Sequence, residues 1–442
     1  MNFKYTNLLV FLLAIVVSTV FWDQINIPLS SEILLKKFEN LENLHNAYND
    51  IARFIVFLSI PIISLIIYYQ KKENNFFKNL NEVLRFEKYH YCQNKNNSKE
   101  LNFFTILIFF ILIIEFFSLN FTEYNHHVDI FHEGMWLSAS ENLKHTGELW
   151  NSSFVVRGLF GDFHPYFLWE IFGKETIGIT RFFNLIIFFL NKIIILLIVR
   201  KISLFSNLDN ERMILFFLTL SFLLISLQGY VNPVFLVRSF LLLLFILFVL
   251  NFCDNYGKNF FYTPILGLFS CLSFFWYLDI GLYINLFLLI FIFYFIFKFD
   301  FKNFFLLIMT ICLSWLVIFI FLPRQEFFEF ISNTHTVITT LSWLHGLEFP
   351  APFVSLDARS GKSILMFLFT SYMLINFINF YKKEESIFLF SLIFLYIVSA
   401  LYFNYALGRS DGGHIRVGSG ILFIPFFSIL LFHIFKKIKF DK

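Results

Sequence analysis

The sequence predicts an all-α polytopic membrane protein of about twelve transmembrane helices, and three observations carry that expectation. The chain is 58% hydrophobic and 15% charged over 442 residues, where soluble domains carry roughly a quarter charged residues. Its mean hydropathy is +0.71. Long runs such as ILIFFILIIEFFSL, LIIFFLNKIIILLIV and FLLLLFILFVL are nearly free of ionisable groups, and about 20 apolar residues in a helix cross a bilayer core. The 70 Phe are read as compositional bias. A net charge of only +3 argues against a nucleic-acid partner.

Taken in order, the apolar windows fall near 6–22, 51–69, 102–120, 177–199, 213–229, 233–252, 263–279, 281–298, 303–322, 363–381, 386–404 and 419–436. The breaks around Asp279 and Asn232-Pro233 are the shortest. The first window starts after Lys4, as a signal peptide would, but STVFWDQ offers no small-x-small cleavage site and a retained helix is expected. Lysine-dense segments alternate with poorer ones: 70–100, RKISLFSNLDNER, FKFDFKN, YKKEES and the tail KKIKFDK fall on one side. The positive-inside rule makes that side cytoplasmic. Both termini are then cytoplasmic, in the inner or plasma membrane. None of the 4 cysteines falls in an outside loop, so neither a disulfide nor a Cys-based metal site is expected. Residues 1–101 read as a two-span addition to a body at 102–442.

The outer loop at 121–178 carries most of the chemistry. Met135, Leu137, Ala139 and Leu143 give a loose apolar stripe ending near Gly147, a residue suited to a helix C-terminus. A second short helix is expected from Pro165, a residue favoured at a first helical position, to Gly173. Trp136, Trp150 and Trp169 suit an interfacial depth. The loop thus reads as two surface helices. Asp129, His132 and Glu133 stand at i, i+3 and i+4 and share one face of a helix. Asp162 and His164 precede Pro165. Such carboxylates with His neighbours serve as a general base or help hold a divalent metal; solvated loop residues and helix caps are the plain alternative.

These residues resemble the first outer loop of C-type (GT-C) membrane glycosyltransferases, the superfamily of protein mannosyltransferases and lipid A aminoarabinose transferases. The resemblance rests on Asp129 and Glu133, then Ala139 and Gly147, then Asp162, Pro165 and Trp169, then Gly173 and Arg181. It covers about 120–185. The adjacent Asp-Glu pair usual in that family is spread here over DIFHEG, and two spans precede the loop instead of one. The resemblance implies transfer of a sugar from a polyprenyl-phosphate donor to a glycan, lipid or protein acceptor at the outer, periplasmic face. Asp129, Glu133 and Asp162 are then the candidate catalytic carboxylates. A divalent cation, Mg or Mn, held by Asp129 and His132 stays open.

Cations that meet the departing lipid phosphate are sought in outside segments. NYALGRSDGGHIRVGSG at 404–420 sets Arg409, Asp411, His414 and Arg416 among five glycines. Glycine permits close backbone approach and Arg binds phosphate through a planar fork; a flexible connector is the plain reading. Arg238, near the outer end of its span, reaches for the same phosphate, with His132 and His164 as further binding candidates. A structural ion pair between Arg181 and Glu115 is expected, Asp279 is a candidate for sugar hydroxyls, and Lys192 has no evident partner. The segment 323–362 reads equally as a lid or a surface loop, and Pro350 and Pro352 argue against one continuous helix there. An O-antigen polymerase or ligase, and a transporter, remain alternative functions. The polymerases usually carry their large loop late in the chain, and transporters gather polar groups at the midplane.

Overall fold

A computed structural model describes residues 5–27, 47–73, 75–85, 95–118, 127–130, 132–150, 153, 155–228, 233–256, 259–338, 352–353, 358–380, 385–407 and 412–437. Among these residues every regular element is a helix. In chain order they are α1 (Thr6–Trp22), α2 (Ala47–Glu73), α3 (Phe76–Val83), α4 (Lys95–Ser118), α5 (His132–Thr146) and α6 (Leu159–Phe172). Then follow α7 (Ile177–Phe205), α8 (Asn210–Gln228), α9 (Pro233–Asn255), α10 (Tyr262–Trp276), α11 (Leu278–Phe297) and α12 (Phe301–Phe321). The remainder are α13 (Arg324–Thr336), α14 (Ala358–Asn379), α15 (Ser386–Tyr402), α16 (Asn404–Leu407), α17 (Gly412–Ser419) and α18 (Phe423–Lys437), with a 3-10 turn at Gly420–Leu422 before the last.

Each of the twelve apolar windows contains a helix. Among the described residues nine stretches are long and apolar enough to cross a membrane, and α1 and α10 are shorter apolar helices. The chain is therefore a multi-pass membrane protein. Several helices run past their apolar windows because charged ends such as Lys71, Lys72 and Lys437 continue the helix beyond the hydrocarbon.

The chain forms two compact units: one of Met1–Asn94, Ile202–Leu220 and Thr340–Lys442, the other of Lys95–Lys201 and Ser221–Thr339. The N-terminal helices share their unit with the C-terminal hundred residues. In that unit α1 packs on α2, and α2 on α14. Helices in lipid gain no hydrophobic advantage from touching, so close packing and polar bonds hold them. Asn7 donates to Tyr69 Oη at 2.7 Å and to Asn376 Oδ1 at 3.0 Å, joining α1, α2 and α14. Asn79 of α3 donates to the Ile378 and Asn379 carbonyls, and Lys436 of α18 pairs with Glu385.

In the second unit α10 packs on α9, α11, α12 and α6. A Cβ on Gly267 would lie 2.8 Å from Thr310 Cβ, so α10 and α12 touch backbone to side chain. Ser270 Oγ donates to Asn285 Oδ1 at 2.6 Å and accepts from Trp315 Nε1 at 3.0 Å, tying α10, α11 and α12. The break between α10 and α11 falls at Tyr277, which is extended (φ −147°, ψ 132°), two residues before Asp279. Asp279 accordingly sits in the first turn of α11.

Ion pairing departs from the expectation at two positions. Arg181 pairs with Glu133 at 2.8 Å, and Glu115 pairs with Lys192 at 2.6 Å. The lysine deeper in α7 thereby finds its partner on α4, and the arginine nearer the end of α7 is left to the loop. An ionisable group at membrane depth is costly unless paired, and this exchange satisfies both.

Candidate functional site

The segment from 127 to 176 in the second unit holds two helices, with one shift of register from the expectation. α5 ends at Thr146, and Gly147 takes the left-handed conformation (φ 71°). Its buried stripe is Trp136, Ala139, Ser140 and Leu143, while Met135 is exposed. α6 ends at Gly173 (φ 62°), but starts at Leu159 instead of Pro165. Gly158 launches it with φ 126° and ψ 162°, a conformation open essentially to glycine alone. Pro165 then lies inside the helix. A proline ring crowds the carbonyl four residues back, and that residue is Gly161, which offers no side chain of its own. Asp162 and His164 are consequently helical and buried, not loop residues ahead of a helix.

Asp129 and Glu133 close a ring at the start of α5. The Asp129 carbonyl accepts from the Glu133 and Gly134 N–H groups at 2.8 and 3.1 Å, and the Asp129 N–H donates to Glu133 Oε2 at 2.9 Å. Arg181 grips the same carboxylate with both arms of its fork, Nε to Oε1 and Nη2 to Oε2, each at 2.8 Å. The Arg181 guanidinium holds the Glu133 carboxyl below the usual carboxylate range, with burial pulling the other way. Glu133 thus fixes the backbone of Asp129, whose own side chain lies at an exposed position. Because the folded value is depressed, the pair stabilises the protein above the ordinary glutamate value, and that stability is lost as pH falls through the depressed one. Glu133→Gln is expected to lower the melting temperature at pH 7 by more than at pH 3.5; an equal loss at both would show that the charge does not matter.

A second centre surrounds α6. Asp162 is 8% exposed and its Oδ2 accepts the Arg157 main-chain N–H at 2.8 Å. Burial pushes its carboxyl up, opposed by that N–H. His164 is 1% exposed, between Trp136 (ring centroids 5.0 Å) and Phe160 (5.6 Å). Burial pushes its imidazole down to about 3. The Phe160 and Gly161 carbonyls slightly favour its charged form, yet neither ring nitrogen makes a bond of normal geometry. The ring is therefore neutral at physiological pH. Since the unfolded imidazole takes its proton near the ordinary value, burying it neutral costs stability below about pH 6.5. His164→Phe is expected to flatten the loss of stability between pH 6.5 and 4.5 in thermal melts; an unchanged slope would contradict this.

Arg157 lies with its guanidinium 5.6 Å from the Trp136 ring. The Arg157 carbonyl accepts the Leu278 N–H at 2.7 Å, and Trp276 stacks on Phe160 at 4.3 Å with 9° between planes. These contacts dock α6 on the α10–α11 break. There Arg238 pairs with Asp279, Nη2 to Oδ2 at 2.6 Å and Nε at 2.9 Å, with its guanidinium 5.4 Å from the Tyr277 ring. α13 occupies the first part of the expected lid. Asn333 exchanges bonds with Val155 (Nδ2 to O 2.8 Å, N to Oδ1 3.3 Å) and Glu326 accepts from the Trp150 N–H at 3.4 Å. Pro350 lies outside the described residues, and Pro352 is in a turn.

In the first unit, the glycine-rich segment is helical from Gly412 to Ser419. Gly418 permits close approach, since a Cβ there would lie 2.8 Å from Ala406 Cβ. His414 stacks on Tyr405 at 4.7 Å and Arg416 is exposed. Arg409 and Asp411 lie outside the described residues, as does the His132 side chain. Among the described residues no three His, Cys, Asp or Glu side chains converge as metal ligands.

The sequence reading passed over Arg157, Tyr277 and Asn333. Arg157 had a usable signal, a cation beside a glycine in a segment poor in basic residues. Tyr277 and Asn333 had none, since their roles arise from contacts between distant segments. No family model matches the chain, and no curated protein or solved structure compared with it matches either.

Proposed function

We propose that the protein is a membrane glycosyltransferase that moves a sugar from a polyprenyl-phosphate donor to an acceptor hydroxyl, with Asp129 as general base. The observation that carries this reading is the Glu133–Arg181 clamp, which holds an exposed aspartate at the head of a surface helix. The Asp129 carboxylate takes the acceptor's hydroxyl proton as its oxygen bonds to the sugar C1. The bond from C1 to the phosphate oxygen breaks, and the lipid phosphate leaves with that electron pair. Glu133 acts as a positioning residue, because Arg181 already occupies both its oxygens. Asp162 orders the turn that Gly158 opens.

The same reading gives α1, α8 and α10 the remaining three crossings of a twelve-span chain with both termini cytoplasmic, and puts the α5–α6 segment at the periplasmic face. Arg409, Asp411, His414 and Arg416 are read as an anion-binding element of their own unit. A divalent cation at Asp129 and His132 is part of the proposal only if chelation with EDTA stops turnover. Wild-type protein in proteoliposomes, supplied with radiolabelled polyprenyl-phosphate sugars, is expected to transfer label to lipid or glycan acceptors. Failure with every donor, together with consumption of diphosphate-linked oligosaccharides, would replace this reading with the polymerase one.

A further inference from the structure

Among the described residues, three buried hydrogen-bond donors around α6 make no hydrogen bond of normal geometry. They are Trp136 Nε1, Arg157 Nη1 and the N–H of His164. Trp136 and His164 are 2% and 1% exposed. The three side chains are neighbours through the Trp136 ring, 5.0 Å from the His164 ring and 5.6 Å from the Arg157 guanidinium. A neutral imidazole has one N–H, an indole donates only, and a guanidinium is a permanent cation.

Among the described residues no carboxylate forms a direct ion pair with Arg157. Its Nη2 reaches Met135 Sδ at 3.8 Å, a weak acceptor. The nearby Asp162 carboxylate accepts the Arg157 main-chain N–H instead. Four other cations of this unit, by contrast, meet carboxylates: Arg181 with Glu133, Lys192 with Glu115, Lys201 with Asp254 and Arg238 with Asp279. Buried donors are nearly always satisfied, and a guanidinium fork without a carboxylate suits a tetrahedral oxyanion.

We propose that Trp136, Arg157 and His164 form a binding site for a phosphate-class oxyanion. Arg157 supplies the charge and two N–H groups, and the indole and imidazole N–H groups fix its orientation. The imidazole serves because it is neutral: one nitrogen donates without adding a second buried charge. Identifying this anion with the phosphate that leaves the donor rests on the glycosyl-transfer reading; the site itself rests on the three donors.

The test is tryptophan fluorescence and isothermal titration calorimetry on the full chain in phosphatidylcholine nanodiscs. Farnesyl phosphate, inorganic phosphate and uncharged farnesol are the probes. Farnesyl phosphate is expected to quench saturably, and Trp136→Phe to remove most of the quench. Arg157→Gln should weaken binding at least tenfold, with Arg157→Lys intermediate because it keeps the charge and loses the fork. His164→Gln should weaken it less. Displacement of farnesyl phosphate by inorganic phosphate would support a site for the free anion, and its failure a site for the lipid phosphate. Equal binding of farnesol would overturn the proposal. So would wild-type affinity in folded Arg157→Gln or, should that variant not fold, in both Arg157→Lys and Trp136→Phe. Arg157-dependent binding without sugar transfer by the wild type sinks the glycosyl-transfer reading alone. Unimpaired transfer and binding in Arg157→Gln sinks this site alone.

Discussion

Asp129→Asn is expected to lower sugar transfer by about 10²–10⁴-fold, the range a positioned general base contributes, while donor binding stays near the wild-type value. The three candidate carboxylates are not equivalent. Glu133 is committed to Arg181 through both oxygens, and a proton added there would break that pair. Asp162 is buried and already accepts a main-chain N–H. Asp129 is at an exposed position, with its backbone locked on both sides by Glu133. An asparagine keeps its size and its capacity to accept a hydrogen bond but is not basic, so the variant isolates proton transfer. The measurement is turnover in proteoliposomes beside donor affinity from equilibrium binding. Glu133→Gln should by contrast reduce turnover about tenfold and leave the pH profile in place, since it acts through the geometry of its neighbour. Full activity in Asp129→Asn would remove this aspartate from the chemistry.

Gly158→Ala is expected to destabilise the second unit by about 3 kcal/mol, among the largest single-residue effects in the chain. Two costs add. The φ of 126° and ψ of 162° lie where a side chain is strained by about 1–3 kcal/mol. A Cβ would also come within 2.9 Å of Tyr277 Cα and 3.0 Å of the Trp276 carbonyl oxygen, which are backbone atoms that cannot turn aside. Relief requires α6 to lift from the α10–α11 break, giving up the Arg157–Leu278 hydrogen bond and the Phe160–Trp276 stack. Thermal melting in detergent reads the loss, and hydrogen exchange should localise it to 155–165 and 276–281. Gly134→Ala serves as the control, because nothing lies within 4 Å of its Cβ and its φ is ordinary. Equal melting temperatures for Gly158→Ala and the wild type would mean that the turn has another accessible conformation.

By itself the sequence determined the membrane class, the all-helical architecture, a helix in each apolar window, and two helices between them with glycine ends at Gly147 and Gly173. Those features are local: apolar run length, the needs of a backbone in lipid, and left-handed glycine are written residue by residue. The start of α6 escaped because Pro165 is a good first helical residue, yet a glycine launch at Gly158 and a glycine four residues before the proline let the helix begin earlier. Which charges meet was decided by tertiary structure alone. Arg181 took Glu133 over Glu115, Lys192 found Glu115, and Arg238 found Asp279. Depth along a span is legible from hydropathy, but rotation about the helix axis and the identity of the neighbouring helix are not. The Arg157 centre has the same origin: a cation, an indole and an imidazole, 7 to 28 positions apart in the chain, become a site only when α5 and α6 fold onto one another.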